Sequence, residues 1–281
     1  MLRAYPVQFA VILGLLAAAC GEDMAGPTHV VNLRVLALRA APPEVQAPVG
    51  EELASTVADA LVVGAEGSLA YRWSLCLIPG AIVDGQLCMD PSLEVPLNED
   101  TTEASVTIPV PSPEALLSQV PGDFKGFEID LTSGVPIQLQ LEVTDVVDGA
   151  EQQVRVAFKE IVISDHASTN ANPILDGITW DGVLWEADQL MEVADTATGI
   201  KLMPQWSEST LETYEREGVE ETETLLFSWF VDDVSSDLSK DQSDDANPHS
   251  TLTPGQLKGE EAERLVTLWL VARDGRGGVT W

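Results

Sequence analysis

The chain is poor in three things, and each shortage excludes something. Lysine and arginine number only 14 against 46 aspartates and glutamates, so the formal charge is −32. A surface of that sign repels nucleic acid and anionic lipid, which removes DNA and RNA from the expected partners. There are 3 histidines: His29, His166 and His249 are scattered through turn-like stretches containing Pro, Ser or Thr. No H-E-x-x-H, no G-x-S-x-G elbow and no glycine-rich phosphate loop occurs, and with so many acids a chance carboxylate pair says little about general acid–base work. No catalytic residue, cofactor or metal is therefore assigned. Cysteine is equally scarce, with 3 residues, Cys20, Cys76 and Cys88.

What is present is informative at once. An apolar content of 45% in 281 residues is enough for real cores, in one large domain or two ordinary ones. The chain opens MLRAYPVQFAVILGLLAAACGED. Arg3 supplies the only charge before an apolar run, Val7 to Ala19, that is shorter than the roughly 20 residues a membrane helix needs and suits a signal-peptide core. Leu15, Leu16 and three alanines precede Cys20. This start resembles the lipobox of bacterial lipoproteins. The resemblance implies a leader over 1–19, removed before Cys20, palmitate-type acylation of Cys20, and a lipidated N-terminus and tether over 20–30. Several acyl chains on one residue anchor stably where one does not. Ala17 stands where leucine is commoner in such signals. The alternative is an ordinary secretory leader cut near Ala19. Gly21, in place of aspartate, favours the outer membrane by the same resemblance.

With Cys20 so used, Cys76 and Cys88 remain, flanking LIPGAIVDGQL. In an exported chain this reads as one local disulfide; a metal site is the sharper alternative, with no histidine nearby to support it.

The two halves repeat a pattern. LAYRWSLC (69–76) overlays LLFSWFVD (225–232), which aligns Trp73 with Trp229 and Tyr71 with Phe227. Each stretch is followed by an alternating strand and a tight turn. In the first half Ile137, Leu139, Leu141 and Val143 point one way, then Asp148-Gly149 turns the chain into Val154, Val156 and Phe158. In the second half RLVTLWLVARDGRGGVTW does the same over fewer residues. Leu33 to Leu38, halted by Pro42-Pro43, and Leu53 to Val63 are earlier strands; Ile174 to Trp185 and Gly199 to Trp206 are their counterparts. Asp165 to Pro173 is polar and marks a boundary, giving domains over 31–165 and 166–281. Short helices are expected at Pro113 to Val120 and at Leu184 to Ala194. A tryptophan on the middle strand and frequent turns resemble the Ig-like and PKD-like β-sandwich domains of bacterial surface lipoproteins. The resemblance implies an all-β chain of two tandem antiparallel sandwiches.

Three stretches invite a site. Asp241, Ser243, Asp245 and Asn247 have the odd spacing of a calcium loop, but Ala246 stands where glycine is wanted and Leu252 where glutamate is; the competing reading is a solvated loop. A cadherin-like alternative places calcium near Asp145 or Asp148. ETYEREGVEETET (212–224) reads as a fraying helix or a charged strand edge. Trp180, Trp185 and Trp206 suit either a sugar-stacking platform or core packing. The resulting expectation is an acidic, lipid-anchored protein of the outer-membrane envelope with a non-enzymatic binding or structural role, contacting the membrane by its lipid and an envelope protein or glycan by its loops. The alternative is a carbohydrate-binding or calcium-stabilised adhesion module.

Overall fold

The computed structural model describes residues 27–49, 54–83, 86–88, 91–98, 100–119, 130–185, 189–193, 199–216, 218–257 and 263–281. The leader and Cys20 lie outside the described residues. The chain is mostly β, in several sheets that are antiparallel apart from one short parallel pairing.

The first half runs β1 (Arg34–Ala41), β2 (Glu44–Gln46), β3 (Ala54–Val63), β4 (Ser68–Cys76), β5 (Pro79–Val83), β6 (Gln86–Cys88), β7 (Glu94–Pro96), β8 (Ser105–Val110), a helix α1 (Pro113–Gln119), β9 (Val135–Val147) and β10 (Ala150–Ser164). They form a sheet ordered β1-β3-β8 and a second ordered β2-β10-β9-β4-β7. β1 ends at Ala41 because the prolines that follow cannot donate to the ladder. After the cis Ala41–Pro42 peptide the chain crosses to the other sheet, where β2 pairs in parallel with Val162–Ser164 of β10. The alternation expected along β9 holds: Ile137, Leu139, Leu141 and Val143 are fully buried, beside Trp73 and Ile161 of the same sheet and in one core with Ile108 of the other. Asp148 and Gly149 both take positive φ, 53° and 79°, in the tight turn between β9 and β10, a conformation glycine adopts freely and aspartate tolerates.

The second half runs β11 (Leu175–Trp180), β12 (Val183–Trp185), β13 (Ile200–Trp206), β14 (Thr213–Arg216), β15 (Val219–Thr222), β16 (Leu226–Val231), β17 (Asp237–Leu238), β18 (Gln242–Asp244), β19 (Ser250–Thr253), β20 (Leu268–Arg273) and β21 (Val279–Thr280). One sheet is ordered β12-β11-β13-β19-β17 and the other β18-β16-β20-β21, with Phe227, Trp229, Leu202 and Val231 fully buried between them.

Two expectations change. Ile174 to Trp185 is a hairpin, not one strand: Asp181 and Gly182 take φ of 47° and 86° between β11 and β12. The helix expected over Leu184 to Ala194 does not form in its described part. Leu184 and Trp185 pair with Thr179 and Ile178, and 189–193 have no regular structure. Cross-strand pairing outweighs a weak helical periodicity in a segment that follows an Asp-Gly turn.

The internal repeat is exact in register. Trp73 pairs with Leu141 of β9, and Trp229 pairs with Leu270 of β20. Four residues beyond each partner stands a buried aspartate, Asp145 or Asp274. Asp145 accepts from the Glu66 and Gly67 amides at 3.0 and 2.9 Å, while Asp274 accepts from the Arg276 and Gly278 amides, both at 2.8 Å. Each carboxylate thus holds a turn beside its Trp strand, and a charged acceptor makes such bonds stronger than neutral ones. Both oxygens of Asp145 are engaged in this way, while Asp148, the other acid considered for calcium, stands in the β9–β10 turn.

The halves touch directly. Val30, Leu36, Ala37, Val63, Val271 and Val279 form an apolar cluster across them. Thr28 and Val30, expected within a free tether, are buried. The amide of Val30 donates to Val231 O at 2.8 Å and that of Val231 donates to Thr28 O at 2.9 Å.

Candidate functional site

A polar constellation lies where the halves meet, and it is built partly from the polar 165–173 connection and the acidic 212–224 stretch. Glu44 enters from β2, immediately after the prolines, and is buried. Its Oε1 accepts from Ser164 Oγ at 2.5 Å and faces His166 Nδ1 at 2.6 Å; its Oε2 accepts from the Asn170 amide at 2.7 Å. Arg276, from the β20–β21 loop, reaches the same carboxylate at 3.4 Å. Its other amino group lies 2.9 Å from Glu223 and 3.4 Å from Glu212, and its guanidinium stacks 4.3 Å over the Tyr214 ring. Glu212 and Glu223 come from the ends of the β14–β15 hairpin. Asp274 completes the cluster, accepting from Asn170 Nδ2 at 3.2 Å. Gly278 has to be glycine here, because a Cβ would stand 1.9 Å from the Asp274 carboxylate.

Environment sets these charges apart. Burial pushes Glu44 up, but the bonds from Ser164, Asn170 and His166 outweigh it and hold the carboxyl below its usual value. Burial raises Glu223 and Glu212, and Arg276 only partly offsets it. His166 is raised, first by its bond to the Thr132 carbonyl and then by Glu44, against a smaller burial effect. Lys159, on the inner face of β10, bonds Gly277 O and is lowered by burial to about 8. Most of the network's groups bond one another, and Asn170 Oδ1 is buried with no partner among the described residues. The network's geometry clamps the β20–β21 loop, the 165–173 connection and β2 into one piece.

The acidic stretch 212–224 reads in the sequence as a fraying helix or a charged strand edge, and it forms the β14–β15 hairpin. It is the predicted strand edge, but Glu212 and Glu223 turn inward to Arg276. The stretch 231–249, whose competing reading is a solvated loop, contains β17 and β18 and leads into β19. Ser243 turns inward, accepting from Trp229 Nε1 at 3.0 Å; Asp245 accepts from the Leu225 amide; the Asn247 amide donates to Asp244 Oδ1. Ser243 stands on β18, and Asp245 and Asn247 lie in the turn beyond its end. Among the described residues no group of three or more His, Cys, Asp or Glu could hold a metal ion.

Cys76 and Cys88 form a disulfide with Cα atoms 5.5 Å apart. It packs with Leu93 and against Ile78 and Phe158. Trp180 and Trp206 pack against the second core, Trp206 with its ring 5.1 Å from Phe227. Trp180 and Trp185 meet edge to face, 5.4 Å apart at 86°, and Trp185 Nε1 donates to Gln189 O. Neighbouring rings at that angle do not present one flat face for a sugar to stack on. Among the described residues no helix is long and apolar enough to cross a membrane.

The network escaped the sequence because its members come from five separate segments. The one available signal was the R-D-G-R-G-G run, where an arginine follows an aspartate that must fold a tight loop. No protein-family model matches this chain, and no curated protein is similar to it. Among solved structures, a crystal structure of a mutant Salmonella alpha-2-macroglobulin is similar at 11% identity and a TM-score of 0.21. That match covers 92% of this chain, which spans 16% of the length of that one, and it carries no argument about fold or role.

Proposed function

We propose that this is a bacterial envelope lipoprotein: a chain cleaved before Cys20, acylated there, and carrying two tandem Ig-like sandwiches, 31–165 and 166–281, in a non-enzymatic binding or structural role at the outer membrane. Two kinds of observation support the reading. The leader, with its alanines before Cys20, supports the anchor. The repeated Trp–Asp unit, the pairing of β1-β3-β8 with a sheet that β2 joins in parallel, and the Greek-key connections support the Ig-like assignment.

The observation that carries the role is the clamp between the halves. Glu44, Arg276 and Glu223 fix two bodies in one orientation, as suits a rigid part that presents loops to a partner. A lipid at Cys20 would hold that body close. The Thr28 carbonyl accepts from the Val231 amide, and the length of chain from Cys20 to Thr28 spans at most about 30 Å at full stretch.

Metabolic palmitate labelling of the wild-type chain and Cys20→Ser tests the anchor. Label in the wild type alone is expected; equal labelling, or a chain released freely into the medium, refutes it.

A further inference from the structure

The N-terminal segment enters the folded body at one knot of bonds. Thr28 and Val30 bracket Val231 through two backbone bonds, and His29 Nε2 lies 2.8 Å from Ser236 O. The turn from Val231 to Ser236 is itself braced. Asp233 accepts from the Ser235 and Ser236 hydroxyls and, at 2.9 Å, from Arg264 Nη1. Asp232 Oδ1 accepts from the Thr267 amide at 2.7 Å. Three aliphatic side chains stand beside residues of this knot and face water. Val31 follows Val30 and is 47% exposed; Val234, between Asp233 and Ser235, is 62% exposed; Leu265, next to Arg264, is 74% exposed. A single exposed aliphatic is ordinary. Here three are carried on backbone that the same bonds tie to the entering chain.

The length of chain before Thr28 points to what lies over them. From Cys20 to Thr28 the chain spans at most about 30 Å at full stretch. A compact chain of 281 residues is roughly 50 Å across. Acyl groups at Cys20 would therefore sit nearer this end than the opposite one. That opposite end holds the β20–β21 loop and the β14–β15 hairpin, beyond Leu226 of β16 and Arg273 of β20. Asp232, Asp237 and Glu263 are exposed at the near end and repel an anionic surface, but a zwitterionic one carries no net charge against them. Three aliphatic contacts are too few to hold a free body on lipid. A tether this short raises the effective concentration of lipid at the knot and makes them count.

We propose that this end of the body rests on a zwitterionic phospholipid surface, with Val31, Val234 and Leu265 in its headgroup layer. The inference rests on the acylation of Cys20 proposed above and adds to it the face that meets the bilayer.

The test uses the acylated full chain in phosphatidylcholine vesicles that carry a nitroxide at the headgroup. With Cys20 acylated and Cys76 bonded to Cys88, one added cysteine alone takes a bimane label. Val31→Cys, Val234→Cys and Leu265→Cys report on the knot. Val219→Cys, at a 58% exposed site at the closed end of the β14–β15 hairpin, reports on the opposite end. Quenching is expected to be at least about threefold stronger at the first three positions than at the fourth. Adding Val234→Asp and Leu265→Asp to the Val31→Cys chain is expected to bring its quenching down to the level of Val219→Cys. Replacing half the lipid by anionic phosphatidylglycerol is expected to weaken it as well. Circular dichroism checks that each variant is folded. Equal quenching at all four positions overturns the proposal. So does unchanged quenching in the aspartate variant, which would leave nearness to the tether as its whole cause. A blue-shifted label at Val234→Cys without quenching also overturns it and gives the face to a second copy of the chain. Mass spectrometry reads the acyl groups at Cys20 on the same samples. Without them the anchor and this contact fall together; with them, a flat quenching profile removes the contact and leaves the anchor standing.

Discussion

Arg276 Nη1 lies 2.9 Å from Glu223 Oε1 across a sequence separation of 53. Glu223 is almost wholly buried, with 1% of its side chain exposed, and Glu44, the other carboxylate that this guanidinium reaches, shows 4%. Arg276 therefore answers two charges that have left water, one from each half. Removing it takes this cation from Glu223, while Glu44 keeps its bonds to Ser164, His166 and Asn170.

Arg276→Met is expected to lower unfolding free energy by about 3–5 kcal/mol, because the loss of one partner leaves buried charge uncompensated. Arg276→Met combined with Glu223→Gln is expected to cost less than the sum of the single changes. Urea denaturation of the four members of this cycle measures the coupling, and strict additivity would dissolve the clamp.

His166 gives the junction a pH dependence. Its folded value is raised above the ordinary 6.5, so its contribution is complete below about pH 6.5 and fades as pH rises through the raised value. The side chain is 39% exposed, which screens the effect to about 0.5 kcal/mol. Wild type is expected to melt above His166→Gln at pH near 5.5, with the gap narrowing by pH near 8.5, as scanning calorimetry would record.

The Cys76–Cys88 bridge closes a loop with a sequence separation of 12. Cys76→Ser with Cys88→Ser is expected to cost about 2–3 kcal/mol, chiefly through a less constrained unfolded chain. In the unreduced protein neither thiol is expected to react with maleimide; reaction of both would remove the bridge.

Tryptophans should separate by burial. Trp73→Ala and Trp229→Ala each empty a fully buried site, with an expected cost of about 3–5 kcal/mol. Trp229→Phe is expected to cost less than Trp229→Ala, having lost mainly the bond to Ser243. Trp185→Ala is expected to cost about 1 kcal/mol or less, since its ring is only half-buried. A silent glycan array for the wild type and for Trp185→Ala would speak against the sugar-binding alternative.

Much of the architecture is written locally. Alternation from Ile137 to Val143, the Asp148-Gly149 turn, the proline stop after β1 and the helix at Pro113 each depend on neighbours a few residues away, where steric and periodic rules act directly. The likeness of Trp73 to Trp229 was legible for the same reason, since both middle strands bury the same face. The hairpin at Asp181-Gly182 was equally local in its signal, yet a competing helical spacing over Leu184 to Ala194 obscured it.

What the sequence determined by itself is an all-β chain with two Trp-centred cores, a strongly acidic surface and one short-range disulfide pair. Only the tertiary structure decided which charges are spent. Glu44, Glu212 and Glu223 look no different from the other acids of the sequence, and Lys159 no different from an exposed lysine. Their burial and their partners follow from how the sheets close on each other. Coulombic and desolvation energies depend on distance and depth in the folded body, and neither can be read along the chain.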